Sequence, residues 1–172
     1  KEHKKKQQKE SADIINLGEL NMNTDLMFSS KDQTWETPID FFNLINEEFN
    51  FNLDVCAEEE TAKCKNFFTK EMNAFNYKWE GVCYMNPPYG REIGKWIEKA
   101  YVESLSGATV VCLIPARTDT KYWHEFIFPH ANEIRFIKGR LKFGNSKNSA
   151  PFPSALVVFK NKGCQKVTTM EM

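Results

Sequence analysis

Between residues 81 and 115 the sequence switches twice between two hydrophobic periods, and this restricts the fold more than any other feature. "GVCYMNPP" (81–88) carries its apolar side chains in one unbroken run that two prolines stop. "EIGKWIEKAYVESL" (92–105) instead spaces Ile93, Trp96, Ile97, Ala100, Tyr101 and Leu105 three and four apart, with Gly107 marking its end. "ATVVCLIP" (108–115) is again a single apolar run. Unbroken runs suit strands buried on both faces, and the three-and-four spacing suits a helix with one buried side. Strand, helix, strand at this spacing predicts a βαβ unit and therefore parallel strands.

The same signals recur along the chain. In "TPIDFFNLINEEF" Thr37 can cap a helix and Pro38 suits its first position, with Ile39, Phe42, Leu44, Ile45 and Phe49 as the apolar face. "FNLDVCA" (51–57) has strand propensity and stops at the acidic residues 58–60. A helix is expected around "TKYWHEFIF", then strands at "EIRFIKG" and "SALVVFK". Residues 61–80 show no decisive period. The predicted class is α/β, three layers (α/β/α) around a mostly parallel sheet.

At 172 residues the chain suffices for one domain with a real core. "KEHKKKQQKE" has five Lys, two Glu and no apolar residue, so residues 1–33 are expected to form a basic, polar arm, flexible or partly helical. The folded domain is placed at 34–162 and a C-terminal tail at 163–172. Basic and acidic residues balance at 23 each, so any nucleic-acid surface must be local rather than global. Five cysteines without CxxC spacing fit a reducing, cytoplasmic compartment. No secretory leader is expected, and no run approaches the roughly 20 apolar residues of a membrane span.

Ligands of open α/β sheets sit beyond the carboxyl ends of the strands. One such end carries Asp54, Cys56 and Ala57: small residues that admit a ligand to the backbone, beside a carboxylate that can accept from hydroxyls. A solvated acidic turn would look the same. Another end carries Asn86-Pro87-Pro88-Tyr89. Methylating an exocyclic amine requires orienting its N–H groups, because its lone pair is delocalised into the ring. The Asn86 side-chain oxygen and the Pro87 carbonyl are two acceptors for that purpose. The prolines hold them before substrate arrives. Tyr89 offers a face for a base, worth about 1–3 kcal/mol per stacked base. Pro-Pro is also an ordinary way to end a strand.

"NPPY" matches the D/N/S-P-P-Y/F/W signature of amino-methyltransferases, and its surroundings resemble the phage-type DNA N6-adenine methyltransferase (Dam-like) family. The resemblance runs over roughly residues 34–160, through "WETP", "LDVCA", "NAF", "NPPYGREIGKWIEKA", "LIPARTDTKYWHEF", "IRFIKGRLKFG" and "APFPSALVVF". It implies a compact Rossmann-like fold, S-adenosyl-L-methionine as cofactor, no metal, and double-stranded DNA whose flipped-out adenine is methylated at N6. It further implies that Asn86 and Pro87 accept from the target amine, Pro88 holds the turn and Tyr89 stacks on the base. Thr37 and Pro38 then correspond to a segment contacting the cofactor's methionine end, Asp54, Cys56 and Ala57 to the cofactor loop, and Asn73 and Phe75 to its adenine site, with Asn86 adjoining. For a phage-encoded protein the setting is the host cytoplasm, with a link to restriction–modification.

Three departures stand out. The glycine-rich F-x-G-x-G loop is replaced by "DVCAEEE", Asn73 stands where an acid is common, and no long target-recognition insertion is present. DNA reading then falls to short loops or arms. "FIKGRLKFGNSK" supplies Lys138, Arg140 and Lys142 for phosphates and Phe143 as a wedge or stacking ring, and Arg91 and Arg117 follow strand ends. A solvated hairpin and surface ion pairs are the plain alternatives. The same motif resembles sites that methylate RNA adenine or a protein glutamine, and a DNA-binding module without turnover is a third reading. His3, His124 and His130 lack ligand spacing, so no metal site is expected. Trp96 and Tyr101 read as core, while one glutamate of 58–60 could reach ribose hydroxyls.

Overall fold

Residues 35–172 are described in a computed structural model, and in it the apolar run 109–115 becomes the middle strand of a seven-stranded sheet. In chain order the elements are α1 (Ile39–Phe49), β1 (Leu53–Asp54), β2 (Asn66–Phe67), a 3₁₀ turn (Ala74–Asn76), β3 (Val82–Met85), α2 (Ile93–Leu105) and β4 (Thr109–Pro115). A π-helical stretch (Trp123–Ile127), α3 (Phe128–His130), β5 (Glu133–Ile137), β6 (Ser154–Phe159) and β7 (Lys166–Met170) follow. The strand order is β2-β1-β3-β4-β6-β5-β7. Pairings are parallel throughout except that β6 runs antiparallel to both β4 and β5.

The βαβ reading of 81–115 holds: β3 and β4 are parallel neighbours with Val82 opposite Thr109, and α2 crosses between them. Gly107, at φ 107, takes a conformation closed to most side chains just beyond the helix end. Tyr84 faces α1, where Phe42 meets its ring edge-on at 5.2 Å. Side chains alternate along a strand, so Cys83 points to the opposite face, where the carboxylate of Glu103 on α2 bears on it. Helices therefore cover both faces, giving the three layers. The core runs along β4 and β6, whose residues 110–115 and 154–159 are all buried, with Trp79 and Trp123 as the bulkiest buried rings.

Several local expectations are corrected. Thr37 does not cap α1: Pro38 occupies the cap position without a side-chain hydrogen bond, and the Thr37 hydroxyl turns inward to the Tyr84 hydroxyl at 2.6 Å. The buried face of α1 is Phe41, Phe42 and Ile45, leaving Ile39 and Leu44 exposed. Leu105 is likewise exposed, while Glu103 and Ser104 are buried. The helix after β4 winds as π, and Pro129 accounts for part of this, since it has no N–H to return to the carbonyl of Glu125. Within the segment expected to be a tail, β7 pairs with β5 from Glu133↔Lys166 to Ile137↔Met170. Its two-fold alternation was masked by polar residues on an exposed edge. The Lys-rich arm and His3 lie outside the described residues.

Candidate active site

The parallel strands β1, β3 and β4 end together, and the three turns that follow them build one end of the sheet. A cleft of about 700 Å³ opens there. Val55, Cys56, Ala57 and Glu58 form one wall; Phe68, Thr69, Asn73 and Trp96 form the other; Asn86 and Pro88 lie between; and Trp35, Glu36, Phe143 and Gly144 close the remaining side.

The wall after β1 is shaped by Asp54. Its carboxylate accepts the Cys56 N–H at 3.2 Å and the Lys63 N–H at 3.1 Å, pinning the 55–63 loop from within. Burial pushes this carboxyl above its ordinary value of 3.8, against the pull of the two N–H groups and of Lys63. Only 2% exposed and off the cleft, Asp54 does not offer itself to a ligand as the sequence suggested. It holds the backbone turn after β1 from the inside. Glu58 lines the cleft instead.

Cys56, Ala57 and Asn73 line the cleft. Asn73 sits at φ 56 and its side chain accepts the Phe75 N–H at 3.3 Å. Phe75 does not line the cleft; it is 37% exposed and packs on Trp96 with centroids 4.5 Å apart. Trp96, read from sequence as core, presents itself to the cleft, whereas Tyr101 packs against Phe126, Phe159 and His130. Thr37 and Pro38 are both off the cleft.

Asn86 leaves the end of β3 into a fixed hydrogen-bond frame. Its Nδ2 donates to the Trp35 carbonyl and to Thr37 Oγ1, the latter at 2.9 Å, and its Oδ1 accepts from the Tyr89 hydroxyl at 2.7 Å. A backbone carbonyl can only accept, so the amide orientation is determined. The Tyr89 hydroxyl also lies 3.2 Å from the Leu113 carbonyl. Burial pushes the Tyr89 phenol well above 10, so it stays a donor. The Tyr89 ring is 9% exposed and enclosed by Trp35 (centroids 6.5 Å, planes 21° apart), Phe143 and Phe152. It is thus less open to a base than a free stacking platform would be.

A second groove, of about 670 Å³, starts at Tyr89 and is lined by Arg91, Arg117, Lys121 and Tyr122. Arg91 and Arg117 are exposed, the latter with its guanidinium 5.9 Å from the Phe152 ring. Arg140 and Lys142 are exposed on the loop after β5, while Lys138 is paired with Glu171 at 3.0 Å. Phe143 is corrected outright: 4% exposed in the Trp35–Tyr89–Phe152 cluster, it is no wedge. Sequence reading missed Trp35 and Glu36. The Glu36 carbonyl accepts the Gly144 N–H at 2.8 Å and its carboxylate meets Lys63 at 3.0 Å, tying three separate loops at the cleft mouth. Gly144, at φ 53, was the one available signal of a special backbone there. Among the described residues no group of His, Cys, Asp and Glu could hold a metal ion, and no helix is long and apolar enough to cross a membrane.

Comparison with known proteins follows the same lines. A family model described as "DNA N-6-adenine-methyltransferase (Dam)" matches residues 23–169. The "DNA N-6-adenine-methyltransferase" of Haemophilus phage HP1 (strain HP1c1) is 35% identical over 143 residues, covering 78% of this chain and 82% of the phage protein. "Putative methyltransferase YfdM" of Escherichia coli (strain K12) is 36% identical over 63 residues, 32% of this chain and 69% of that protein.

Proposed function

Since the chain belongs to the DNA N-6-adenine-methyltransferase (Dam) family, whose reaction is S-adenosylmethionine-dependent methylation of adenine N6 in DNA, we propose that Asn86 is the group that orients the target amine. The observation that carries this is the Asn86 frame. With both N–H bonds spent on Trp35 and Thr37, Oδ1 keeps one lone pair beyond that engaged by Tyr89. That lone pair accepts one N–H of the amine, and the Pro87 carbonyl accepts the other. Neither acceptor is a base of useful strength, so the site works by orientation and proximity, and the proton leaving nitrogen passes to solvent.

The cleft suits the cofactor on its own chemistry. Trp96 and Phe68 give flat apolar walls for a nucleoside, and Glu58 sets a carboxylate against a cation bearing hydroxyls, the Glu36 carboxylate being engaged by Lys63. Cys56, Ala57, Glu58, Asn73 and Trp96 would hold it, and bound S-adenosylmethionine supplies an electrophilic methyl group on a sulfonium. Asp54 and Thr37 act from behind these residues.

An extruded adenine stacks against the Tyr89–Trp35 pair beside Asn86, which offsets part of the cost of unstacking it from the duplex. Because Tyr89 is so enclosed, base entry goes with a shift of Trp35. Arg91 and Arg117 along the Tyr89 groove, with Arg140 and Lys142 on the neighbouring loop, neutralise phosphates.

The test is transfer of tritiated methyl from the cofactor to unmodified DNA, with chromatography of the digested nucleosides. Label on N6-methyladenine is expected, and Asn86→Ala should lower the rate by orders of magnitude while cofactor binding changes far less. Label on RNA or protein alone, or near-normal turnover in that variant, would refute the assignment.

A further inference from the structure

The Thr37 hydroxyl, 3% exposed and outside the cleft, lies between two side chains that the fold brings from the same strand end. It accepts one N–H of Asn86 Nδ2 at 2.9 Å and shares a hydrogen bond with the Tyr84 hydroxyl at 2.6 Å. Tyr84 is 1% exposed, and its ring is wedged between Phe42 and Phe51, so its hydroxyl is a fixed point. The Asn86 amide is held at three points: Nδ2 gives to the Trp35 carbonyl and to Thr37 Oγ1, and Oδ1 accepts from the Tyr89 hydroxyl, which also lies within reach of the Leu113 carbonyl. Of the three, the Thr37 bond is the one that ties the amide to a second buried side-chain hydroxyl, that of Tyr84, and so resists rotation about Cβ–Cγ.

We infer that Thr37 is a positioning residue for the methyl transfer, which fixes the plane of the Asn86 amide by passing the rigidity of Tyr84 to it, and is not a contact of the cofactor. The inference rests on the proposed role of Asn86. It also explains why Thr37 gives up capping α1: its hydroxyl is committed to the site. Threonine suits the task because its methyl group restricts the rotamer that aims Oγ1.

Thr37→Val keeps the shape and removes the hydroxyl, and it also strands the buried Tyr84 hydroxyl, which costs stability on its own. The double variant Thr37→Val with Tyr84→Phe removes the two hydroxyls together, so that only the Asn86 N–H is left without its acceptor and the folding cost is smaller than in Thr37→Val alone. The positioning role predicts that Thr37→Val lowers kcat roughly three- to tenfold, the size of one net hydrogen bond, with the KM for S-adenosylmethionine changed less than twofold. Thr37→Ser should restore most of the rate. The double variant should recover part of the lost Tm without recovering kcat. A Thr37→Val enzyme with normal kcat, a kcat that returns with Tm in the double variant, or a raised cofactor KM at unchanged kcat would each overturn it.

A second readout does not depend on turnover. In protein labelled with ¹⁵N-asparagine, the side-chain NH₂ pair that Asn86→Ala deletes should show both protons protected from exchange, and Thr37→Val should expose one. Unchanged protection would refute the Thr37 contact whatever the acceptor proves to be. If the wild-type protein transfers no methyl to DNA yet this protection pattern holds, the proposed reaction fails while the amide-holding role stands.

Discussion

Replacing Asn86 with aspartate keeps the size of the side chain and reverses its hydrogen-bond capacity. The amide gives two N–H bonds, to Trp35 and Thr37; a carboxylate can give neither, and one of its oxygens would face the Trp35 carbonyl. The Thr37 hydroxyl can turn to donate to the carboxylate, with the Tyr84 hydroxyl donating to it in turn; one lost bond at about 1 kcal/mol, plus about 1 kcal/mol for the carbonyl left opposed, gives a deficit of about 2 kcal/mol. For a chain of this size that lowers Tm by roughly 4–8 °C. Poor solvation and the facing carbonyl raise the folded pKa of the new carboxyl above its unfolded value near 3.9. The native variant therefore retains a proton that its unfolded form releases. Its stability is greatest below about 3.9 and declines as pH climbs through the raised value. Urea unfolding of Asn86→Asp and the wild type at pH 5 and pH 8 should show the larger deficit at pH 8. Equal stability at pH 8, or a deficit independent of pH, would refute the frame around Asn86. The D/N/S-P-P-Y signature admits either residue, but the acceptors around this position suit the amide.

Arg140→Ala should weaken DNA binding and reduce the slope of log K against log salt by about one, while Lys138→Ala, whose ammonium already meets Glu171, should change it less; equal slopes would remove the loop from the DNA surface. Thiol titration at pH 8 should find one fast cysteine, the exposed Cys164, because burial pushes Cys56, Cys64 and Cys83 up to about 12 and Cys112 well above its ordinary value. A second fast thiol that persists in Cys164→Ser would contradict that burial. Asp54 has a raised pKa, so its charge opposes folding: its contribution is most favourable below 3.8 and falls as pH rises through the raised value. Asp54→Asn removes this dependence, so the stability difference between wild type and variant, followed from pH 4 to 8, should shrink in the wild type's disfavour; a constant difference would show that the carboxyl titrates normally.

Periodicity was legible wherever an element is buried on the side its pattern implies. β3, α2 and β4 lie where the two hydrophobic periods placed them, because the apolar run and the three-and-four spacing are direct records of burial. α1 was located correctly but turned: Phe41 and Phe42 are both buried, Phe42 against Phe51 and Tyr84, and a regular spacing rule cannot choose between adjacent phenylalanines. β1 and β2 have only two residues each, too few to set a period. Within the site, Asn86 through Tyr89 stood out because proline constrains the backbone in a way visible in sequence. Glu36 and Trp35 did not, and Thr37 stood out only as a cap and a cofactor contact, since the contacts of all three are with residues 49–51 and 108 positions away in the chain. Asp54 was seen as a ligand group because nothing in its neighbours reveals that Cys56 and Lys63 turn their N–H groups back on it.

The reversed direction of β6 has a further consequence. β5 runs parallel to β4 and ends at Ile137, on the same side of the sheet as Asn86; β6 starts from that side, with Ser154 opposite Pro115. The connection 138–153 therefore departs from and returns to the reactive end without crossing the sheet. Lengthening it alters neither strand register nor the distance any strand must span, and the entropy of closing a longer loop grows only by about 0.6 kcal/mol per doubling. The strand that breaks the parallel pattern thus leaves, at the end of the sheet where Asn86 lies, a connection whose length can change without disturbing the strands.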